Sequence, residues 1–375
     1  MNDYNFPLGI ASDEYFCNRV NETELLISNI KCSMHTVIVS PRRYGKTSLA
    51  YRAIKQCGFP YAKIDLYMAT DQKDIQNAII KGVNAIISQV TGVTDKILSS
   101  IKQYIKTIKP TLEMGTDGIK LMLEAAANTS PTENICEALQ VLNAVLEKKE
   151  QKAVLLIDEF QEVERVAKDQ GIEGAIRHVA QETQHFSIIF SGSKRHLLKS
   201  MFNDRNKPLY RLCDEIILSR ISDVHYIEFI QAFAVKRWRD KIPSDAFQKI
   251  MLITEKHPYY INALLRLLFA MKSAPSQEEV LEQWSNLAER KKQDLFHETD
   301  HLSITQRKLL IAIANGVNQE LTSKKFLSEY KLASSTVIKS LKELLEEDFI
   351  EKLHDRYCLV DPLLKTVIKN TWPIN

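Results

Sequence analysis

The stretch TVIVSPRRYGKTSLA, from Thr36 to Ala50, decides the fold of this chain. It opens with an apolar β-branched run, turns at Pro41 and continues as a helical pattern from Lys46. It contains Gly-Lys-Thr, the close of the phosphate-binding pattern G-x-x-x-x-G-K-[ST], although Ser40 stands where that pattern has its first glycine. Gly-Lys-Thr alone is a common chance match. Between an apolar strand and a helix it predicts a phosphate loop, because backbone N–H groups and a helix N-terminus converge there.

Each part of the predicted phosphate loop has a chemical task. Gly45 lets the backbone approach phosphate closely because it carries no Cβ. Lys46 is placed for the β- and γ-phosphates, and Thr47 offers its hydroxyl to Mg²⁺. A serine at position 40 costs about 1 kcal/mol if a positive φ is required there. The residues predicted to bind nucleotide are Ser40, Pro41, Arg42, Arg43, Tyr44, Gly45, Lys46, Thr47 and Ser48.

A second motif, AVLLIDEF at 153–160, places Asp158 and Glu159 directly after an apolar strand. In P-loop NTPases a carboxylate at this point holds Mg²⁺ through water, and its neighbour polarises the attacking water. The pair is therefore predicted to be a Walker B motif, with Asp158, Glu159 and Lys46 catalytic. Thr47 and Asp158 are the predicted metal-binding residues. The alternative is a strand that ends in a solvated acidic pair.

A third motif, IIFSGSKRHLL at 188–198, ends another apolar strand in Ser191-Gly192-Ser193. In this class of fold such a small polar side chain lies on the strand beside the phosphate loop, where Ser191 can orient water or sense the γ-phosphate. The alternative is a helix N-cap, since Ser193 precedes the helical pattern KRHLLKSMF.

Composition bounds the class of protein. At 375 residues, 45% of them hydrophobic and 26% charged, the chain is long enough for two or three globular domains. The 50 Lys and Arg residues nearly balance 47 Asp and Glu, so any case for a polyanionic partner must be local. The six scattered cysteines lack zinc-ligand spacing and are predicted to be buried free thiols. Without a signal peptide or a membrane-spanning run, we expect a cytoplasmic protein with no membrane partner.

The expected fold class is α/β: a P-loop NTPase parallel sheet flanked by helices, followed by an all-helical lid and a winged helix-turn-helix. Between the strands lie stretches of helical periodicity. Strands are predicted at 35–40, 61–67, 152–160 and 185–193, with a weaker fifth at 215–221, and helices at 73–90 and 133–149.

Three domains are predicted. They are an ATPase core at 1–221, a helical lid at 222–292 and a winged helix at 293–375, with the charged tract ERKKQD (289–294) as the linker. Residues 91–131 fit the core less well. They are predicted to be an insertion, with an amphipathic helix and a short hairpin around Gly115 and Gly118.

The C-terminal part shows three helical patterns followed by two short strands, which predicts the winged helix. In its recognition helix, 334–348, core spacing belongs to Val337, Leu341, Leu344 and Leu345, and the outward positions are Ser334, Ser335, Thr336, Lys339 and Lys342. No Arg, Asn or Gln is placed for bidentate base reading. Double-stranded DNA contact and a protein-interaction role both stay open.

Four segments resemble the archaeal-type ATPase family of the STAND class, within the AAA+/P-loop grouping: SPRRYGKTSL, LLIDEFQEV, IFSGSKRHLLKSMFNDRNKPLYR and ITEKHPYYINALL. The resemblance covers nearly all of the chain, from 15–26 through the winged helix. It implies an ATPase that uses ATP and Mg²⁺, and some such members carry serine at the position of Ser40. Phe16, Arg19 and Glu22 match a motif expected near the adenine base. Their alternative is a capped amphipathic helix.

The resemblance implies further site residues. Arg211 matches a catalytic family arginine that reaches the γ-phosphate from the same or a neighbouring subunit. Its alternative is a surface salt bridge, and Arg195 is the competing arginine. His257-Pro258 matches the helical-lid motif, in which a glycine usually stands where this chain has Lys256.

Two functions of different kinds follow. The first is a nucleotide-controlled switch, in which ATP and Mg²⁺ bind between core and lid, hydrolysis is slow, and the partner is a protein client or a second copy of the chain. The second is a DNA-binding ATPase of the replication-initiator or transposition-helper type. A third possibility is a nucleotide binder that no longer turns over. The absence of an N-K-x-D-like guanine motif favours ATP over GTP.

Overall fold

The structure is a computed structural model that describes residues 6–11, 13–90, 95–115 and 118–373. Its strands are β1 (Thr36–Val39), β2 (Tyr61–Asp65), β3 (Ile108–Gly115), β4 (Gly118–Ala125), β5 (Ala153–Asp158), β6 (Phe186–Gly192), β7 (Asp214–Ile217), β8 (Ile350–Leu353) and β9 (Arg356–Leu359). Its α-helices are α1 (Val20–Lys31), α2 (Lys46–Cys57), α3 (Gln72–Gln89), α4 (Asp95–Ile101), α5 (Pro131–Lys148), α6 (Glu162–Val166), α7 (Gly171–Glu182), α8 (Arg195–Asn203), α9 (Asp223–Trp238), α10 (Ser244–Ile253), α11 (Pro258–Leu268), α12 (Gln277–Glu298), α13 (Ile304–Ala314), α14 (Lys324–Tyr330), α15 (Ser334–Glu346) and α16 (Pro362–Thr371).

Five strands form a parallel sheet in the order β2-β5-β6-β1-β7. Every residue of β1, β5 and β6 is buried, as expected for central strands covered by helices on both faces. On the edge strand β2 buried and exposed residues alternate. The predicted α/β fold is confirmed, and the weak run at 215–221 supplies the fifth strand, β7.

The predicted insertion contains the helix α4 and an antiparallel hairpin of β3 and β4, in which Gly115 pairs with Gly118. Residues 91–94 and 116–117 of this segment lie outside the described residues. Buried side chains hold the hairpin: Glu137 Oε2 accepts from the N–H groups of 106–108 at 2.8 to 3.1 Å. Asn84 exchanges two hydrogen bonds with the backbone of Leu123. The hairpin prediction is confirmed.

The chain divides into two compact units, which are described separately. The α/β unit comprises Arg19–Ser40 and Lys46–Leu218, and the helical unit comprises the described residues of Met1–Asn18, Pro41–Gly45 and Ser219–Asn375. The domain boundaries drawn from sequence stay a prediction. Within the helical unit, Phe6 is fully buried among aromatic rings, with ring centres 5.2 Å from Phe233 and 4.9 Å from Phe269.

The helical unit ends in the predicted winged helix: α13, α14, α15 and the hairpin of β8 and β9. On α15, Val337, Leu341 and Leu344 are buried, Leu345 is half-buried, and Ser334, Ser335, Thr336, Lys339 and Lys342 are exposed. A final helix, α16, was not predicted. It begins after Asp361, whose carboxylate accepts from the N–H groups of 363 and 364.

The charged tract 289–294 is not a loop, because it lies inside the continuous helix α12. Ion pairs one turn apart, Lys291 with Asp294 and Lys292 with Glu289, stabilise the helical conformation of this tract. Trp284 Nε1 on this helix donates to Thr366 Oγ1 on α16 at 3.0 Å. The tract is therefore helical, and its role as a linker between two domains stays a prediction.

The six cysteines, all within the described residues, are free. Cys32 is exposed and the other five are half-buried, so the prediction of buried thiols is wrong. None of the helices in the described ranges is both long and apolar enough to cross a membrane.

Candidate nucleotide-binding site

The phosphate loop follows β1, which ends at Val39, and precedes α2, which begins at Lys46. Within it Arg43 and Gly45 have φ angles of 63° and 89°, in the left-handed region where glycine is least strained. Ser40 is buried, and the positive φ angles fall on these two residues rather than on Ser40. The strain expected from serine at this position therefore does not arise.

The side chain of Lys46 is buried beside this bend. Lys46 is 8% exposed, and its Nζ donates to the main-chain oxygen of Ser40 at 3.1 Å. Every residue type carries this carbonyl, so a serine in place of glycine leaves the bond unchanged. A Cβ built on Gly45 would meet no atom within 4 Å, so the space beside it is open. Of the other loop residues, Pro41, Tyr44 and Ser48 are buried, Thr47 is half-buried, and Arg42 and Arg43 are exposed.

Polar side chains from three other elements contact Asp158, the last residue of β5. Ser191 Oγ on β6 donates to Asp158 Oδ1 at 2.7 Å, and Thr47 Oγ1 on α2 donates to Oδ2 at 3.4 Å. Lys63 Nζ on β2 lies 3.2 Å from the same Oδ2. Burial alone would raise the pKa of Asp158, but the hydrogen bond from Ser191 and nearby lysine charges outweigh it and hold the pKa below its ordinary value. The carboxylate is therefore ionised at neutral pH.

Strand order explains this meeting of side chains. β6 lies between β1 and β5, with Ile38 opposite Ser191 and Ile157 opposite Phe190. The carboxyl ends of parallel strands lie at one edge of the sheet, so Ser191 comes beside Asp158 there. The strand that carries Ser191 is thus next to the phosphate-loop strand, as predicted.

Glu159 is held by two residues on one oxygen of its carboxylate. Its Oε2 accepts from Ser193 N at 3.2 Å, Ser193 Oγ at 2.8 Å and Gln161 Nε2 at 2.5 Å. The backbone of Glu159 is left-handed, with φ of 54°. Helix α8 has Lys194 at its N-cap, so the alternative that Ser193 caps this helix is wrong.

Gln161 was missed by sequence reasoning. It is 2% exposed, and a Cβ on Gly192 would lie 1.9 Å from Gln161 Oε1. The glycine between the two serines of the third motif therefore makes room for a glutamine that binds Glu159. The glycine of Ser-Gly-Ser indicates that another group approaches the backbone closely here, but nothing in the sequence identifies that group as Gln161.

The two candidate arginines lie in different places. Arg195 is the half-buried first residue of α8. Arg211 is exposed between α8 and β7, and its guanidinium carbon lies 5.1 Å from the ring centre of Tyr210. Their roles at a γ-phosphate stay predictions.

The residues predicted near the adenine lie before and within α1. Phe16 is half-buried, whereas Arg19 is 6% exposed and occupies the N-cap position of α1 with φ of 67°. Arg19 Nη1 donates to Glu22 at 2.9 Å, without a side-chain cap of the helix. Their role in binding a base stays a prediction.

His257 and Pro258 begin α11, with His257 at the N-cap and Pro258 at the first helical position. The preceding Lys256 has a φ of 59°, in the left-handed region that glycine adopts with the least strain. This fits the glycine that usually stands here in the family that the sequence resembles. His257 is 3% exposed, and its ring centre lies 4.7 Å from that of Tyr44 in an edge contact. Burial, with the charges of Arg220 and Arg43, lowers the pKa of His257 to about 3. The ring is neutral at neutral pH.

Within the helical unit, Tyr44 of the phosphate loop belongs to a polar network. Arg220 Nε donates to Tyr44 Oη at 3.1 Å, and Arg220 Nη1 donates to Glu255 Oε2 at 3.0 Å. Arg220 Nη2 lies 3.5 Å from Glu351 Oε1 on β8, and Lys365 Nζ on α16 lies 2.6 Å from Glu255 Oε1. Burial would raise the pKa of Glu255, but these two cations lower it. Sequence reasoning missed Arg220 because no motif contains it, and it assigned no role to Glu255 within the segment ITEKHPYYINALL.

The class of fold is that of the P-loop NTPases, since a parallel sheet carries a phosphate loop after β1, an acidic pair after β5 and a serine after β6. A winged helix follows later in the chain. Residues 295–370 match the family described as "Probable winged helix domain".

The structure of a Walker-type ATPase of Pyrococcus abyssi is similar to this chain, with a TM-score of 0.72, 16% identity, and 98% of this chain and 100% of that chain covered. An ORC2 protein of Aeropyrum pernix, in ADPNP-ADP complexes, has a TM-score of 0.58 at 14% identity, with 96% of each chain covered. No curated protein matches the sequence. The predicted P-loop NTPase fold with a C-terminal winged helix is confirmed.

Proposed function

We propose that this chain binds ATP with Mg²⁺ and hydrolyses it. The observation that carries the proposal is the contact of Thr47 and Ser191 with the two oxygens of Asp158, at the sheet edge where β5 and β6 end. A hydroxyl on the first turn of α2, an ionised carboxylate and a neighbouring Glu159 are the groups that such a reaction requires.

The residues present fit the nucleotide and its metal. The buried Lys46 and the open space beside Gly45 suit a phosphate chain. Thr47 and Asp158 would hold Mg²⁺, because hydroxyl and carboxylate oxygens are the ligands that this hard cation prefers. When bound, Mg²⁺ neutralises charge on the phosphates. Glu159, held by Ser193 and Gln161, is the residue that would accept a proton from the attacking water.

The first experiment measures nucleotide binding with a non-hydrolysable ATP analogue and Mg²⁺ by isothermal titration calorimetry. We expect Lys46→Ala to weaken binding by about 100-fold or more, because a charge-assisted contact to phosphate is lost. Lys55→Ala, an exposed lysine in the last turn of the same helix, is the matched control and should bind as the native protein does. Equal binding by Lys46→Ala and the native protein would contradict the proposal.

The second experiment tests turnover. Glu159→Gln should keep ATP binding and lose most of its hydrolysis, because an amide cannot accept the proton from water. Native protein that binds ATP yet is as inactive as Glu159→Gln would instead be a nucleotide binder without turnover.

We further propose that the ATPase works as a switch. The network supports this: Tyr44 of the phosphate loop contacts His257 of the helical lid motif and Arg220, and Arg220 reaches Glu351 of the wing. A nucleotide that shifts the phosphate loop would change these contacts. The free energy of the network would then differ between the ATP-bound and ADP-bound states. Hydrogen exchange of β8 and β9 should differ between ATP-analogue and ADP forms, and identical exchange in the two forms would contradict the switch.

The second candidate function is DNA binding, favoured by the exposed hydroxyls and lysines of α15 in a winged helix. Two ion pairs along that helix, Lys339 with Glu343 and Lys342 with Glu346, each at 3.7 Å, reduce the positive charge available to phosphates. Binding to a labelled DNA duplex should then be weak and fall steeply with salt. Tight binding that Lys339→Glu abolishes would favour this function over the switch.

We also propose that self-association can complete the site through an arginine. Arg211 is exposed, so it is free to meet a neighbouring copy, whereas Arg195 is half-buried in its own unit. If Arg211 acts across subunits, Arg211→Ala should hydrolyse slowly and recover part of its rate when mixed with Glu159→Gln. Analytical ultracentrifugation with Mg²⁺ and the analogue measures the association directly.

A further inference from the structure

Lys63 lies beside the predicted metal-binding carboxylate and belongs to none of the motifs. It is the middle residue of the edge strand β2, and its Nζ is 3.2 Å from Asp158 Oδ2. The same Nζ is 3.3 Å from Asp65 Oδ2. Asp65 and Asp158 are register partners at the ends of β2 and β5. One ammonium group therefore bridges two carboxylates.

The oxygen that Lys63 contacts is also the one that Thr47 contacts. Thr47 Oγ1 donates to Asp158 Oδ2 at 3.4 Å, while Oδ1 is taken by Ser191. Lys63 Nζ thus contacts the same oxygen of Asp158 as the hydroxyl of Thr47, which is predicted to bind Mg²⁺. Two cations that share one carboxylate oxygen repel each other, so the metal and the ammonium compete.

Asp65 provides a second carboxylate that the ammonium of Lys63 can contact in place of Asp158. Its carboxylate is half exposed, with 51% of the side chain accessible, whereas the Asp158 side chain is 12% accessible. Lys63 is 29% accessible, so its flexible stem can turn towards Asp65 without leaving solvent. A lysine ammonium is positively charged at neutral pH, so the competing group is a cation.

We propose that Lys63 is a built-in competitor of Mg²⁺ at Asp158, and that moving its ammonium to Asp65 sets the Mg²⁺ concentration at which the chain binds nucleotide. The inference rests on the proposed ATP–Mg²⁺ site and deepens it. A purely structural ion pair would hold β2 to β5 and leave the Mg²⁺ dependence unchanged.

The experiment titrates Mg²⁺ at fixed adenylyl imidodiphosphate, a non-hydrolysable ATP analogue, and measures the analogue bound by calorimetry. Lys63→Gln should lower the half-saturating Mg²⁺ concentration by about 3- to 10-fold, the effect of losing one nearby charge of a partly exposed pair. Asp65→Asn should raise that concentration by about 2- to 5-fold, because the ammonium is left with Asp158 alone. At saturating Mg²⁺ the variants should bind as the native protein does.

Lys81→Gln is the matched control. Lys81 is an exposed lysine on α3 that lines the same groove of ≈ 690 Å³ as Lys63 and Asp65, so its removal changes the local net charge equally. Its Mg²⁺ curve should coincide with that of the native protein. Thermal unfolding of each variant separates folding defects from binding effects.

Three results overturn the inference. Coincident Mg²⁺ curves for Lys63→Gln and the native protein would leave the lysine a structural ion pair. Equal shifts in Lys63→Gln and Lys81→Gln would make the effect one of general charge. A higher Mg²⁺ requirement in Lys63→Gln would mean that the lysine positions Asp158 for the metal. Failure of the native protein to bind the analogue at any Mg²⁺ concentration would instead overturn the proposed function, and this inference with it.

Discussion

Ser191 Oγ donates to Asp158 Oδ1 at 2.7 Å, and this is the shortest of the bonds that hold the acidic side chain at the end of β5. Replacing Ser191 by Ala removes a hydrogen bond to an ionised carboxylate. We expect ATP hydrolysis to fall about 10- to 100-fold, since such bonds are worth ~1.5–3 kcal/mol. Steady-state phosphate release measures the loss.

Ser187→Ala is the control for Ser191→Ala. Ser187 is also buried on β6, four residues earlier, and pairs with Val154 away from the acidic residues. Its variant should keep the native rate of hydrolysis. Equal rates for the two serine variants would show that the bond to Asp158 has no part in turnover.

The close approach of Gly192 and Gln161 predicts a stability effect. A methyl group on Gly192 would overlap Gln161 Oε1 at 1.9 Å, so Gln161 must move and its bond to Glu159 is lost. Gly192→Ala should lower the free energy of unfolding of the α/β unit by about 1–3 kcal/mol. Urea unfolding followed by circular dichroism measures the change.

Gly174→Ala provides the opposite case. Gly174 lies within α7, and a Cβ there meets nothing within 4 Å. Alanine favours helix over glycine, so this variant should gain up to about 1 kcal/mol of stability. If Gly192→Ala is as stable as Gly174→Ala, the contact with Gln161 does not constrain the strand.

The sheet and its site motifs were predictable because they depend on local patterns. Asp158 and Ser191 follow apolar strands, and parallel strands bring their carboxyl ends to one edge whatever the loops between them. Lys63 and Gln161 were not predictable in the same way. The contacts of Lys63 depend on which strand lies beside β5, and those of Gln161 depend on the conformation of the segment after β5. A local sequence pattern predicts neither. The helical conformation of the charged tract in α12 was not predictable for a related reason, since paired charges on an exposed helix face resemble a polar segment in sequence.

Burial of His257 predicts a pH dependence of stability. The folded-state pKa is about 3 against an ordinary value of 6.5, so below pH 6.5 the unfolded chain binds a proton that the folded chain does not. The free energy of unfolding therefore falls as pH decreases, by about 1.4 kcal/mol per pH unit well below 6.5, until the folded pKa is reached. Denaturant unfolding at pH 7.5, 5.5 and 4.5 measures the slope.

His257→Asn cannot titrate in this range and isolates the effect. Carboxylates contribute equally to both proteins, so the difference in slope belongs to the histidine. The variant should lose less stability than the native protein between pH 7.5 and 4.5. Parallel curves for the two proteins would mean that the ring is protonated in the folded state without cost.

The contact between Arg220 and Glu255 should appear as a coupling in a double-mutant cycle. Arg220 Nη1 donates to both the main-chain oxygen and the carboxylate of Glu255, at 2.7 and 3.0 Å. With Arg220→Met, Glu255→Gln and the double variant, we expect an interaction free energy of about 1–3 kcal/mol in unfolding. Additive effects of the two substitutions would exclude a direct energetic link.

The continuity of α12 through 289–294 has a mechanical consequence. Twenty-two helical residues extend about 33 Å at 1.5 Å per residue, so a tilt of about 10° at one end displaces the other by about 6 Å. Trp284 near its start is bonded to Thr366 of the last helix, and its end lies inside the segment that matches the winged helix family. A tilt of this helix would therefore be amplified at its far end as by a lever arm, without a flexible hinge at 289–294.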